Sequence, residues 1–93
     1  MNVLYFYRSL LYQYELNRSR EKISADILSA AQEPILKTLM MYKANLSFDQ
    51  LKTYMQNLEE KRFIQRSGPN HWVITNEGRA FLRQYQLVAE IIG

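Results

Sequence analysis

Residues 38–79 read TLMMYKANLSFDQLKTYMQNLEEKRFIQRSGPNHWVITNEGR, and their order of local signals decides the fold. Ser47-Phe48-Asp49-Gln50 is a capping-box pattern, S-x-x-Q, which marks the start of a helix. Leu51, Met55 and Leu58, with Tyr54 alongside, give that helix one apolar face, and Gln50, Lys52, Thr53 and Gln56 lie opposite. Before it, Thr38 is placed to cap a shorter helix running to Ala44 and burying Leu39, Met40 or Met41, and Tyr42. Asn45-Leu46 makes the turn between the two, because Asn tolerates positive φ. After it, Phe63–Arg66 and His71–Thr75 read as two strands around the turn formers Ser67-Gly68-Pro69-Asn70. Helix, turn, helix and two-stranded ribbon follow in order.

Outward from this centre, Ser19 caps a helix over residues 20–32 whose inward face is Ile23, Ile27, Leu28 and Ala31. Pro34 stops that helix or begins a short extended piece, Ile35 to Lys37. At the other end Thr75 caps a helix from Asn76 to about Ile92. Phe81, Tyr85, Val88 and Ile92 recur along it at spacings of four, three and four, a stripe wider than a small domain needs. The N-terminal run MNVLYFYRSLLYQYEL carries Val3, Tyr7, Leu10 and Tyr14 at helical spacing, which favours a helix over a strand. Arg8 interrupts the run, no small-residue cleavage site follows it, and it falls below the roughly 20 apolar residues of a membrane span. It reads as a soluble packing element. The organisation expected is thus an N-terminal aromatic-rich helix at 1–18, a core at 19–75 and a C-terminal helix at 76–93.

Ninety-three residues, 47% of them hydrophobic, suffice for one domain with a real core. The chain has no cysteine and one histidine, so thiolate and paired-histidine metal sites are not expected. Three glycines and no nucleophile set beside a base leave no case for an enzyme, and no cofactor is implied. A net charge of +3 fits nucleic-acid binding without requiring it, so the placement of charge must carry the argument.

The fold expected is mainly α with a small β-hairpin wing, an α+β winged helix-turn-helix with extra N-terminal and C-terminal helices. That shape suits the major groove of duplex DNA. The string Met41-Tyr42-Lys43-Ala44-Asn45-Leu46-Ser47-Phe48, with Gln50-Leu51-Lys52 and Tyr54, resembles the small archaeal winged helix-turn-helix family. Glu60-Lys61, Phe63-Ile64, and Ile74-Thr75 with Gly78 resemble its recognition-helix exit, first wing strand and last-helix entry. The resemblance covers residues 20 to about 88 and implies double-stranded DNA as partner. It also implies dimerisation, since some members are dimeric chromatin-associated proteins joined by a long antiparallel coiled coil of the last helix. Three features depart from the family. Arg62 stands where a Gly usually ends the recognition helix, so the exit must adopt another conformation or accept a left-handed residue. The last helix is short for a long coiled coil, and the aromatic N-terminal run is not typical.

A recognition helix over 47–61 would bring Ser47, Phe48, Asp49, Gln50, Lys52, Thr53 and Gln56 toward base edges. Gln pairs bidentately with adenine, Lys meets guanine or phosphate, and Thr reaches a base or a thymine methyl. Singly, such residues are the solvated face of any amphipathic helix, and it is the helix-turn-helix and wing around them that favour a groove. Phe48 either packs at the core edge, the favoured reading, or touches sugar or a thymine methyl. Asp49 repels phosphate and suits the helix dipole. Lys37, Lys43, Lys52, Lys61, Arg62, Arg66 and His71 could form a phosphate-facing arc, with Asn70 at the tip of a wing over 64–75. Trp72 is read as packing the wing on the body.

The dimer contact is expected from Val3, Tyr7, Leu10 and Tyr14 together with Phe81, Tyr85, Val88 and Ile92. The function expected is a cytoplasmic, nucleoid-associated regulator or architectural protein, a homodimer on duplex DNA, without membrane or metal partners. The alternative is a winged-helix protein-interaction module.

Overall fold

The computed structural model describes residues 18–92. The expected N-terminal aromatic-rich helix, with Val3, Tyr7, Leu10 and Tyr14, lies outside them.

Ser19 opens the first helix, α1 (Arg20–Ala30), as expected: its side chain accepts from Lys22 N. The stripe Ile23, Ala25, Ile27 and Leu28 is buried, and Ala31 behind it is fully buried. The helix ends two residues earlier than the expected 32. Ala31 already leaves helical geometry, at φ −102 and ψ 21, and its carbonyl accepts from Ile74 N at 2.8 Å. The bond ties the end of α1 to the ribbon.

The extended piece after Pro34 is a strand, β1 (Ile35–Leu36), and this enlarges the ribbon. With β2 (Ile64–Arg66) and β3 (His71–Ile74) it makes a three-stranded antiparallel sheet in the order β1-β3-β2. Ile35 pairs with Trp72 and Leu36 with His71, while Ile64 pairs with Ile74 and Arg66 with Trp72. Ile35, Ile64, Trp72 and Ile74 are all buried on the inner side of this sheet. Trp72 thus seats the wing on the body, as expected.

Helix α2 (Lys37–Lys43) starts one residue before Thr38, and Thr38 is not its cap. Leu36 holds that position in extended geometry with no side-chain bond, because the chain passes straight from its last strand residue into the first turn. Of the residues expected inside, Met40 is fully buried and Met41 half-buried, but Leu39 is 50% and Tyr42 72% exposed. A seven-residue helix lays a single narrow stripe on the core, here Met40 followed by Ala44, and its other apolar residues stay outside.

Helix α3 (Phe48–Glu60) has the predicted capping box, with Ser47 as cap and both reciprocal bonds made. Leu51, Met55 and Leu58 are almost wholly buried. The turn before it and the exit after it share one design, the Schellman motif. Asn45 at φ 55 donates to Tyr42 O and Leu46 N to Met41 O, while Arg62 at φ 60 donates to Glu59 O and Phe63 N to Leu58 O. Arg62 therefore takes the left-handed conformation that a glycine would take freely.

Thr75 caps the last helix, α4 (Asn76–Ile92), accepting from Gly78 N at 3.0 Å and donating to Arg62 O. A Cβ at Gly78 would collide with the Phe63 carbonyl and the Ile74 side chain, so this close crossing requires glycine. Leu82 is buried, and Phe81 stacks on Phe63 with ring centroids 5.2 Å apart. The described residues form four helices and a small antiparallel sheet around one core, an α+β winged helix-turn-helix.

Candidate nucleic-acid interface

Three elements hold the residues expected to meet nucleic acid: the last turn of α2, the outward side of α3, and the wing. The core stripe of α3 fixes its rotation, so Asp49, Gln50, Lys52, Thr53 and Gln56 are all exposed, and the cap Ser47 with them. Phe48 is 62% exposed, which overturns the favoured placement at the core edge. As the first helical residue it lies beyond the reach of the buried stripe that begins at Leu51. Lys43 ends α2 and is exposed beside the turn.

The polar side chains of α3 are held in definite positions. Ser47 N donates to Gln50 Oε1 at 3.0 Å and Gln50 N to Ser47 Oγ at 3.2 Å. Thr53 Oγ1 donates to the Asp49 carbonyl at 3.1 Å, closing one turn of helix. The C-terminal end is acidic on its surface, with Glu59 and Glu60 exposed ahead of Lys61 and Arg62.

In the wing, Gly68 at φ 85 and Asn70 at φ 59 shape a loop closed by Ser67 N donating to His71 O at 2.9 Å. Asn70 is exposed at its tip. His71 is half-buried and its Nδ1 donates to Pro69 O at 2.7 Å, which leaves Nε2 without a proton in the neutral ring. Arg66 is exposed on β2, with its guanidinium carbon 5.4 Å from the Trp72 ring centroid. That cation–π contact steadies the side chain at the edge of the sheet.

One residue of this framework escaped sequence reasoning. Arg18 Nη1 donates to the Asp26 carboxylate at 2.9 Å and to Ala44 O at 2.7 Å, and Nη2 donates to Asn45 O at 2.8 Å. Lys22 joins Asp26 at 2.7 Å from the other side. The guanidinium thus clamps α1 to the end of α2, where orphan carbonyls and the negative pole of the helix dipole lie. Its only sequence signal was a cation beside a helix cap.

The residues expected at a dimer contact divide. Phe81 and Tyr85 pack against the core, whereas Val88 and Ile92 are 52% and 71% exposed, beside Leu87 and Ile91. Among the described residues no group of His, Asp and Glu could hold a metal ion, and no helix is long and apolar enough to cross a membrane.

No curated protein sequence matches the chain. A family model described as winged helix-turn-helix matches residues 17–93, which is most of the chain and includes every element above. The chain belongs to the winged helix-turn-helix family, whose domains generally bind DNA.

Proposed function

We propose that this protein binds duplex DNA, with the recognition helix 47–61 in the major groove and the wing 64–75 along the backbone. The observation that carries the reading is the two-sidedness of α3. Leu51, Met55 and Leu58 anchor one side in the core, while Lys52, Thr53 and Gln56 are exposed. Lys43, Lys52 and Arg66, with Asn70 and His71, would meet phosphates, and Ser47, Phe48, Gln50, Thr53 and Gln56 would approach bases. The role is that of a transcription regulator or a chromatin-associated architectural protein of the archaeal type, nucleoid-associated in the cytoplasm. It acts as a homodimer through the apolar turns of α4 and the N-terminal aromatic segment.

A second reading is favoured by one observation: Leu36 at the start of α2, and Leu39 and Tyr42 along it, are exposed apolar side chains. They suit a protein-interaction module that binds no nucleic acid. Binding measured over a salt series separates the two. A duplex binder loses affinity linearly in log–log form, with a slope of about −0.9 per phosphate contacted. Lys52→Glu or Arg66→Glu should abolish that binding, because each replaces an attraction to phosphate by a repulsion. Little affinity for duplex at any moderate salt would favour the interaction module.

A further inference from the structure

The outward residues of α3 have less hydrogen-bonding capacity to offer than their identities suggest. A glutamine that reads adenine accepts from N6 through Oε1 while its amide donates to N7. In Gln50 that oxygen already accepts from Ser47 N, and Ser47 Oγ already accepts from Gln50 N. The Thr53 hydroxyl is turned back onto the Asp49 carbonyl. Asp49 is an acceptor only, and its charge opposes phosphate. Ser47 keeps its hydroxyl proton and Gln50 its amide donors, but the oxygen that a glutamine turns to adenine N6 is engaged, and the apolar surface on the first turns is the Phe48 ring, 62% exposed, with the γ-methyl of Thr53. Lys43 and Lys52, both exposed, stand on either side of Phe48 in the chain and complement a polyanion. The apolar group that a base edge presents in the major groove is the C5-methyl of thymine.

We propose that this protein reads its site through thymine methyl groups, with Phe48 and the Thr53 γ-methyl as the contacting surfaces. Gln56, one turn beyond Thr53, is left to supply amide contacts. The proposal rests on the duplex-binding reading above and assigns that site its base preference. Apolar contact of this kind discriminates by a buried methyl instead of by paired donors, so it gives graded selectivity for thymine-bearing duplexes.

The test uses the full chain and two probes of alternating adenine and thymine, one with thymine and one with deoxyuridine in its place. Base pairing and every donor and acceptor stay the same, and only the methyl is removed. Binding to the uracil duplex should be about fourfold weaker for each methyl buried. Thr53→Ser keeps the hydroxyl bonded to Asp49 and removes only the methyl, and Phe48→Ala removes a ring that contributes nothing to the core. Each variant should shrink the thymine–uracil difference while leaving the salt slope unchanged. Equal, salt-dependent binding of both duplexes by the natural chain would overturn the methyl readout and leave the duplex-binding reading standing. A difference that persists undiminished in both variants would overturn the assignment to Phe48 and Thr53. Absence of binding to either duplex would remove the proposal together with the reading beneath it.

Discussion

Arg62 occupies a left-handed conformation at φ 60 because three bonds converge on the exit from α3. Its N–H donates to Glu59 O, Phe63 N reaches back to Leu58 O, and its own carbonyl accepts from Thr75 Oγ1. The backbone is therefore held from both sides, and the cost of the left-handed residue, about 1–2 kcal/mol, is offset by the motif it completes. Arg62→Gly would remove that cost, though the greater freedom of glycine in the unfolded chain returns part of the gain. A net stabilisation of about 1 kcal/mol is expected, seen as a rise of about 4–8 °C in Tm for a domain of this size. An unchanged or lower Tm would show that the arginine side chain contributes more than its backbone costs. Arg62 is also a cation near the wing, so the same variant should bind duplex DNA more weakly under the reading proposed here. Stability and affinity would then move in opposite directions.

At the scale of elements, the angle between α2 and α3 rests on the turn at Asn45, and Arg18 holds that turn from outside. Its fork reaches two carbonyls and a carboxylate at once, which a lysine cannot reproduce. Arg18→Ala should cost about 1–2 kcal/mol, since charged hydrogen bonds are strong but this side chain is partly solvated. The loss should show as a lower midpoint in urea and as faster hydrogen exchange at the Leu46 amide, with Arg18→Lys in between. Exchange at Leu46 as slow as in the natural chain would show that the turn holds itself. This clamp was illegible in the sequence because its partners are backbone carbonyls 26 and 27 residues away, and no side-chain pattern encodes them. The caps of α1, α3 and α4 were legible for the opposite reason: Ser19, Ser47 and Thr75 each act within three residues of themselves. Strand β1 and the start of α2 depend on pairing with β3, far along the chain, so Thr38 looked like a cap that the fold does not use. The solvent side of α3 followed from its apolar period. Phe48 did not, because a residue at the first helical position sits at the margin of the stripe, where periodicity is silent.

At the scale of the whole molecule, the unresolved demand is apolar surface at the far end of α4. The first half of that helix packs on the core: Gly78 and Leu82 are buried, and Phe81 is stacked on Phe63. Beyond Tyr85 the apolar residues continue but their cover stops, with Leu87 54%, Val88 52%, Ile91 85% and Ile92 71% exposed. Four such side chains on the last two turns are more than scattered surface hydrophobes, and contiguous apolar patches of this kind mark association sites. A helix of 17 residues spans roughly 26 Å, enough for two copies to pair about a two-fold axis. Such a pair would carry two recognition helices, and half-sites about 34 Å apart would lie on one face of the duplex. The expected outcome is a dimer in sedimentation equilibrium, converted to monomer by Leu87→Lys with Ile91→Lys. Both positions are exposed, so the substitutions should leave the melting of the monomeric fold nearly unchanged. The monomeric variant should bind a duplex bearing two half-sites far more weakly than the natural chain, yet match it on a single half-site, because only the linkage between modules is lost. A natural chain that sediments as a monomer at all concentrations would rule out pairing through α4.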